Sequence, residues 1–341
     1  MKSITKHRIP AILEQWSEEY EVFAPEQRRK GEVILDRFSE ADFTLDFGKP
    51  SLPPKWAFLP QNESILEIDG GTYRKVPWNR KRILFGVRPC DMAGIGQSAS
   101  FMERNIADPY FLEKRRSTIS IVMACPSPPT ETCFCSVTKS GPWAEKRFDL
   151  QLFDMGDVIL IEEGSEKGAE LVAGIGLDEM SPEEANDRIA DFKRKALASM
   201  EELPEFGDAL IRFESDRIDD RIWQSFGDKC IVCGGCVFVC PTCTCFNVTD
   251  CESGEDSGTR IRTWDSCLFG GFTQESSGHN PRPDQGRRLK RRHEHKLKLF
   301  SREDVKDNLC GCVGCGRCSD YCPVHIGTRE VVAAIAAGDY L

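Results

Sequence analysis

Two stretches of the chain concentrate thiols at one spacing. "CIVCGGCVFVCP" sets Cys230, Cys233, Cys236 and Cys240 ahead of Pro241, and "CVGCGRCSDYCP" sets Cys312, Cys315, Cys318 and Cys322 ahead of Pro323. Both read C-x2-C-x2-C-x3-C-P, the spacing of ferredoxins that carry two [4Fe–4S] clusters. Three thiolates on a tight loop reach three irons of one cube. The fourth lies too far along the chain and points into the neighbouring cube, and the proline after it stops regular structure. The expected ligand sets are therefore Cys230, Cys233, Cys236 with Cys322, and Cys312, Cys315, Cys318 with Cys240. The competing class is a zinc-stabilised scaffold, but zinc favours pairs of C-x2-C rather than two complete runs of four.

Four further thiols lie in the first half: Cys90 in "GVRPCD", Cys125 in "MACPSP", and Cys133 with Cys135 in "CFC". The elements that would position them are legible. Residues 83–87 ("ILFGV") read as a buried strand, a helical stretch follows near 92–104, and "TISIVMA" at 118–124 reads as a second strand; this alternation predicts an α/β layer. Cys90 and Cys125 each follow a strand, and the carboxyl ends of strands in an open α/β sheet line one crevice. A third [4Fe–4S] cluster on Cys90, Cys125, Cys133 and Cys135 is expected there; the bland alternative is buried cysteine packed as a small hydrophobe. Further strands are expected within 149–161. A helix is expected from Pro182, with Ser181 as its N-cap and Glu184 completing a capping box, bridging to the second half.

The remaining thiols, Cys243, Cys245, Cys251, Cys267 and Cys310, have no assigned role. Residues 281–298 hold eight Lys or Arg against two acids. Such a run is either a solvated or partner-facing surface, or a source of donors to cluster sulfur and nearby backbone. His279, His293 and His295 are assigned to no metal. No G-x-G-x-x-G follows a strand, so no flavin or nucleotide site is expected in this chain. Neither a Ser/His/Asp set nor a carboxylate pair stands above background. The chain has 341 residues, 17 cysteines and a formal charge of −10, a poor match for nucleic acid. No apolar run approaches the roughly 18 residues of a membrane span. With no apolar secretory segment at the N-terminus, the expected location is the reducing cytoplasm, where dense cysteine means metal or redox chemistry.

The motifs "LPPKWAFLPQNE", "FGVRPCD", "CFC", "CPTCTCFNVTD", "RTWDSC", "GHNPR" and "CVGCGRCSDYCP" together resemble the iron–sulfur beta subunit of cytoplasmic sulfhydrogenases and its iron–sulfur counterpart in anaerobic sulfite reductases; related chains accompany heterodisulfide reductase modules. The resemblance implies a non-catalytic conduit in a hetero-oligomer, relaying electrons between a flavin subunit that binds a nicotinamide cofactor and a separate catalytic subunit. It also implies an α+β protein in which an N-terminal α/β domain (1–215) precedes a helical-ferredoxin-like domain (216–341) with two clusters and a long insertion (243–309). The family pattern carries over onto Cys90, Cys125, Cys133 and Cys135, and onto Cys243, Cys245 and Cys267. Cys251 and Cys310 depart from it. The alternative function is reduction of a small sulfur substrate by this chain itself, at a cluster held by only three thiolates, such as Cys243, Cys245 and Cys267.

Overall fold

The structure, a computed structural model, describes residues 1–28, 31–300 and 310–338. Residues 301–309, the far end of the expected insertion, lie outside the described residues, as do 339–341. Strand β1 (Lys2–Ile4) leads to helix α1 (Ile9–Ser17), then to β2 (Glu21–Gln27) and β3 (Val33–Arg37). A hairpin follows, β4 (Asn62–Asp69) and β5 (Thr72–Lys75). Next come β6 (Arg82–Val87), α2 (Pro89–Glu103), α3 (Pro109–Arg116), β7 (Thr118–Met123), β8 (Leu150–Asp154) and β9 (Ile159–Glu163). Helix α4 (Glu166–Ala173), strand β10 (Asp178–Glu179) and helix α5 (Pro182–Ala198) complete this part.

Eight of these strands form one mixed sheet in the order β10-β1-β9-β8-β7-β6-β2-β3. Its centre is parallel, with β2, β6, β7 and β8 running the same way. Every residue of β6 and β7 is buried, as expected of parallel strands covered on both faces. Ile83, Phe85, Ile119, Ile121 and Met123 pack into one apolar layer, while Leu84, Val87 and Val122 pack into another with Met92, Ile95 and Phe111. Each fully buried Leu, Ile or Phe contributes about 1.5–3 kcal/mol. Local signals fix the helices. Pro89 and Pro182 occupy first-turn positions. Ser181 Oγ accepts from the Glu184 N–H, and Asp108 caps α3 by accepting from the Tyr110 and Phe111 N–H groups.

The second part is mostly helical: α6 (Glu205–Glu214), α7 (Asp220–Lys229), α8 (Gly235–Phe238), α9 (Gln285–Glu294), α10 (Arg317–Asp320) and α11 (Thr328–Ala337), with a π-helical turn at His295–Leu299. Helices α6, α7, α9 and α11 share one core around Phe206, Phe213, Trp223, Phe226, Leu289, Val331 and Ile335. Between α8 and α9 a hairpin, β11 (Phe246–Gly254) and β12 (Ser257–Trp264), pairs with β4 and β5 in a second sheet of order β11-β12-β4-β5. The insertion is thereby sewn to the N-terminal half. Buried Arg262 on β12 pairs with Glu63 on β4 at 2.6 Å and with Asp108, the cap of α3. Among the described residues, no helix is long and apolar enough to cross a membrane.

Candidate iron–sulfur sites

The two parts meet where the thiols are. Cys230 ends α7, and the loop to α8 turns through Val232 and Gly234, both at positive φ. The loop before α10 turns the same way through Gly314 and Gly316. These left-handed positions let each loop curl tightly. At Gly314 the close approach is also steric, since a Cβ would stand 2.5 Å from the Phe134 carbonyl oxygen.

Burial first, then neighbouring charges, sets the state of each thiol. Cys236 is pushed up to about 11 by burial; Arg292 opposes the shift, and Cys318, Cys230 and Cys322 add to it. Cys315 is pushed up to about 12, again first by burial; Arg317 opposes, while Cys240, Asp91 and Cys318 add. Burial also raises Cys312, with Cys310, Cys318 and Cys315 contributing. Cys322 and Cys318 are thus within electrostatic reach of Cys236, and Cys240 within reach of Cys315, so each fourth cysteine lies near a member of the other run. Cys233 is exposed.

The N-terminal thiols also converge. Cys90, in the first turn of α2, and Cys125, just beyond β7, sit at the carboxyl ends of adjacent parallel strands. With Cys133 and Cys135 they line one cavity, together with Lys49, Arg88 and Cys315. Burial raises Cys125 and Cys135 above the ordinary thiol value. Burial raises Cys90 as well, with Asp91, Cys315 and Cys135 adding and Arg317 opposing. Thiols held this way become thiolates by binding metal rather than by free titration. Cys315 belongs to one run and also borders this cavity, so the N-terminal thiols adjoin that run.

Backbone and side-chain donors already point at sulfur. Gln285 Nε2 donates to Cys230 Sγ at 3.2 Å, the Thr328 N–H to Cys318 Sγ at 3.3 Å, the Ile326 N–H to Cys322 Sγ at 3.4 Å and the Gly314 N–H to Cys312 Sγ at 3.4 Å. Lys49 Nζ lies 3.6 Å from Cys133 Sγ, donates to the Cys315 carbonyl at 2.6 Å and pairs with Asp320 at 2.6 Å. Burial alone would lower the Lys49 ammonium, but Cys133, Asp320 and Cys315 hold it above its usual value. Arg88 stacks 3.8 Å from the Phe47 ring centre and donates to the Gly48 carbonyl at 2.6 Å. Asp91 and Arg317 form a fully buried bidentate pair at 2.6 and 2.8 Å, within electrostatic reach of Cys90 and Cys315.

The basic run divides. Arg292 and Lys296 are buried with Leu289 and His293, and Arg292 donates to the Cys236 carbonyl at 3.0 Å. Arg282, Arg287, Lys290 and Arg291 line an open groove instead. His293 is neutral: its Nδ1–H donates to the Leu289 carbonyl at 2.9 Å and its Nε2 accepts from Arg292 at 3.1 Å. Burial, then Arg292, lowers it to about 3. His279 is exposed beside Glu275. Sequence reasoning passed over Lys49, Lys55, Gln285 and Thr328, and gave no role to Arg88, Asp91 and Arg317. For Arg88 and Asp91 the signal was the "RPCD" motif itself. Cys251 lies exposed on β11, and Cys310 is buried with its Sγ on the Cys312 carbonyl at 3.5 Å.

Among the described residues, no group of three or more His, Cys, Asp or Glu is arranged around one ion. A cube spreads its thiolates over separate irons, so thiols set for a cube do not meet at a point. The donor sets, the curled loops and the N–H groups aimed at sulfur fit [4Fe–4S] clusters.

Residues 229–326 match the family described as "4Fe-4S dicluster domain". The chain as a whole is similar to sulfhydrogenase 2 subunit beta of Pyrococcus furiosus, 29% identical over 331 residues and covering 96% of each chain. The resemblance read from the cysteine motifs is thus borne out, and with it an iron–sulfur oxidoreductase subunit in an α+β fold. No solved structure matches the chain.

Proposed function

We propose that the chain is the electron-relay subunit of a hetero-oligomeric cytoplasmic oxidoreductase, standing between a flavin subunit that binds a nicotinamide cofactor and a separate catalytic subunit of hydrogenase, sulfite or sulfur reductase, or heterodisulfide reductase type. The observation that carries this reading is that the N-terminal thiols share a cavity with Cys315 of the second run. Cys230, Cys233, Cys236 and Cys322 would hold one [4Fe–4S] cluster, Cys312, Cys315, Cys318 and Cys240 a second, and Cys90, Cys125, Cys133 and Cys135 a third. When bound, such clusters supply one-electron storage at potentials set by charge, burial and hydrogen bonds to sulfur.

The chain's own residues do the rest. Loop curvature and cross-run pairing hold the first two sites against each other. The buried cations Arg292, Lys296, Lys49 and Arg317 offset the negative charge of thiolate ligands. Burial excludes water from the third site, while exposed Cys233 opens the first to the surface. There Ile231 and Tyr321, at 60% and 48% exposure, flank the ligands in sequence, an apolar rim suited to a partner subunit. A helical-ferredoxin-like arrangement of residues 216–341 is supported by the short helices α8 and α10 that follow the two loops.

The test is anaerobic. The purified complex should reduce the visible chromophore of this chain with NAD(P)H, whereas the isolated full chain should not. Reduction of the isolated chain by NAD(P)H, or turnover of a small sulfur substrate by it with an artificial donor, would contradict the relay reading.

A further inference from the structure

The cations of α9 divide by partner. Arg287, Lys290 and Arg291 pair with Asp284, Asp220 and Glu294 at 3.3, 2.8 and 3.2 Å. Arg292 is 2% exposed and has no carboxylate partner among the described residues. Its Nη2 donates to the Cys236 carbonyl at 3.0 Å, and its Nη1 to the Thr328 hydroxyl at 3.4 Å and to His293 Nε2 at 3.1 Å. The Thr328 hydroxyl in turn stands 3.3 Å from Cys318 Sγ. Once Cys318 is a thiolate, that hydroxyl can accept from Arg292 and give its own proton to the sulfur. One guanidinium thus reaches Cys236, assigned to the first site, directly, and Cys318, assigned to the second, through one hydroxyl.

An independent observation is the third nitrogen. The Arg292 Nε–H is buried with no acceptor among the described residues. A bare buried donor is rare, and an uncompensated buried charge is costly. Arginine does not shed its proton to escape that cost. The Cys236 carbonyl, the Thr328 hydroxyl and neutral His293 offer dipoles but no charge. A water could satisfy Nε, yet it would leave the charge unbalanced. Clusters held by thiolates supply both what is missing, negative charge and sulfur acceptors.

We propose that Arg292 is a positioning residue shared by the first two sites: one fixed positive charge, bonded toward Cys236 of one and Cys318 of the other, that stabilises an added electron on either. The inference rests on the two-cluster reading and goes beyond charge balance. Reduction adds negative charge to a cluster, so a nearby cation raises its potential. A cation common to two centres raises them together. Removing it makes both harder to reduce. Removing Thr328's hydroxyl loosens only the link to the second site. The N-terminal thiols Cys90, Cys125 and Cys135 respond to Arg317 or Arg88 rather than to Arg292, so the third site is unaffected by either change.

The experiment is an EPR-monitored redox titration of the anaerobically purified full chain. In Arg292→Met the first and second sites should each become about tenfold harder to reduce, a fall of about 59 mV for one electron, with the third site unmoved. Arg292→Lys keeps the charge and should recover most of that fall. Thr328→Val should lower the second site alone. Arg291→Met, which removes a neighbouring cation already paired with Glu294, should move neither. Iron-replete Arg292→Met with unchanged potentials overturns the proposal, and so does a fall confined to one site. Lost iron with the surviving signals at wild-type potentials marks a merely structural role and also overturns it. If Arg292→Met does not fold, Thr328→Val decides, and an unmoved second-site potential overturns the proposal. Failure of the two-cluster reading shows differently, in the wild type itself, as the absence of two [4Fe–4S] signals from the C-terminal half before any substitution is made.

Discussion

The buried Asp91–Arg317 pair joins two segments 226 residues apart. Both side chains are fully buried and share two bonds, at 2.6 and 2.8 Å; Arg317 Nε also donates to the Pro50 carbonyl at 2.8 Å. Arg317→Met strands a carboxylate beside Cys90 and Cys315, both of which Asp91 already pushes toward the neutral thiol. Breaking a buried pair from one side costs about 3–5 kcal/mol, a large share of the roughly 5–15 kcal/mol that holds a domain folded. Asp91→Asn leaves the guanidinium instead, facing thiolates that partly offset it, so the cost falls to about 1–3 kcal/mol. Metal retention should follow the same order, with Arg317→Met losing more iron than Asp91→Asn. The double variant Asp91→Leu/Arg317→Met should lose less than the sum of the single losses, because neither charge is stranded. The assay is anaerobic denaturation of the loaded full chain, followed by far-ultraviolet circular dichroism and by visible absorbance. An Arg317→Met protein within about 0.5 kcal/mol of wild type, the range of ordinary surface substitutions, would refute the reasoning. So would the reverse order of the two single variants.

Other consequences follow from single contacts. Cys240→Ser should bleach the site built on Cys312, Cys315 and Cys318 and spare its own run, as read by EPR of the reduced variant. Gln285→Leu removes the donor to Cys230 Sγ; at about 1 kcal/mol per hydrogen bond and about 59 mV per tenfold change for one electron, that site's potential should fall by about 40 mV in a redox titration. Gly314→Ala, at φ 57° with the Phe134 carbonyl in the way, should destabilise by more than about 1 kcal/mol and lower the melting temperature. His293 titrates near 3 when folded and near 6.5 when unfolded. The unfolded chain therefore binds more protons across that window, and stability falls as pH drops. Between pH 7 and 5, wild type should lose about 2 kcal/mol more than His293→Gln, at 1.36 kcal/mol per pH unit below the unfolded value.

How much of this was legible follows from the range of each interaction. The two cysteine runs, the strands ahead of Cys90 and Cys125, and the Ser181 cap are local patterns, and each is read within a dozen residues. The basic run was ambiguous as composition but not as periodicity. Leu289, Arg292, His293 and Lys296 fall at i, i+3, i+4 and i+7, one face of a helix, and that face is the buried one. The pairing of β11–β12 with β4–β5 could not be read, because hairpins at 62–75 and 246–264 carry no local mark of each other. Lys49 and Lys55 were invisible for the same reason. A buried lysine is identified by what surrounds it, and its surroundings come from the other half of the chain.

The central claim is that the two runs exchange their fourth cysteines and so hold two adjacent clusters. Low-temperature EPR of the dithionite-reduced full chain tests it most directly. Adjacent clusters should give a spectrum broadened and split by interaction between neighbouring spins, which simplifies toward isolated signals in Cys240→Ser. Well-separated, non-interacting signals in the wild type, or a colourless protein containing zinc and no labile sulfide, would contradict it.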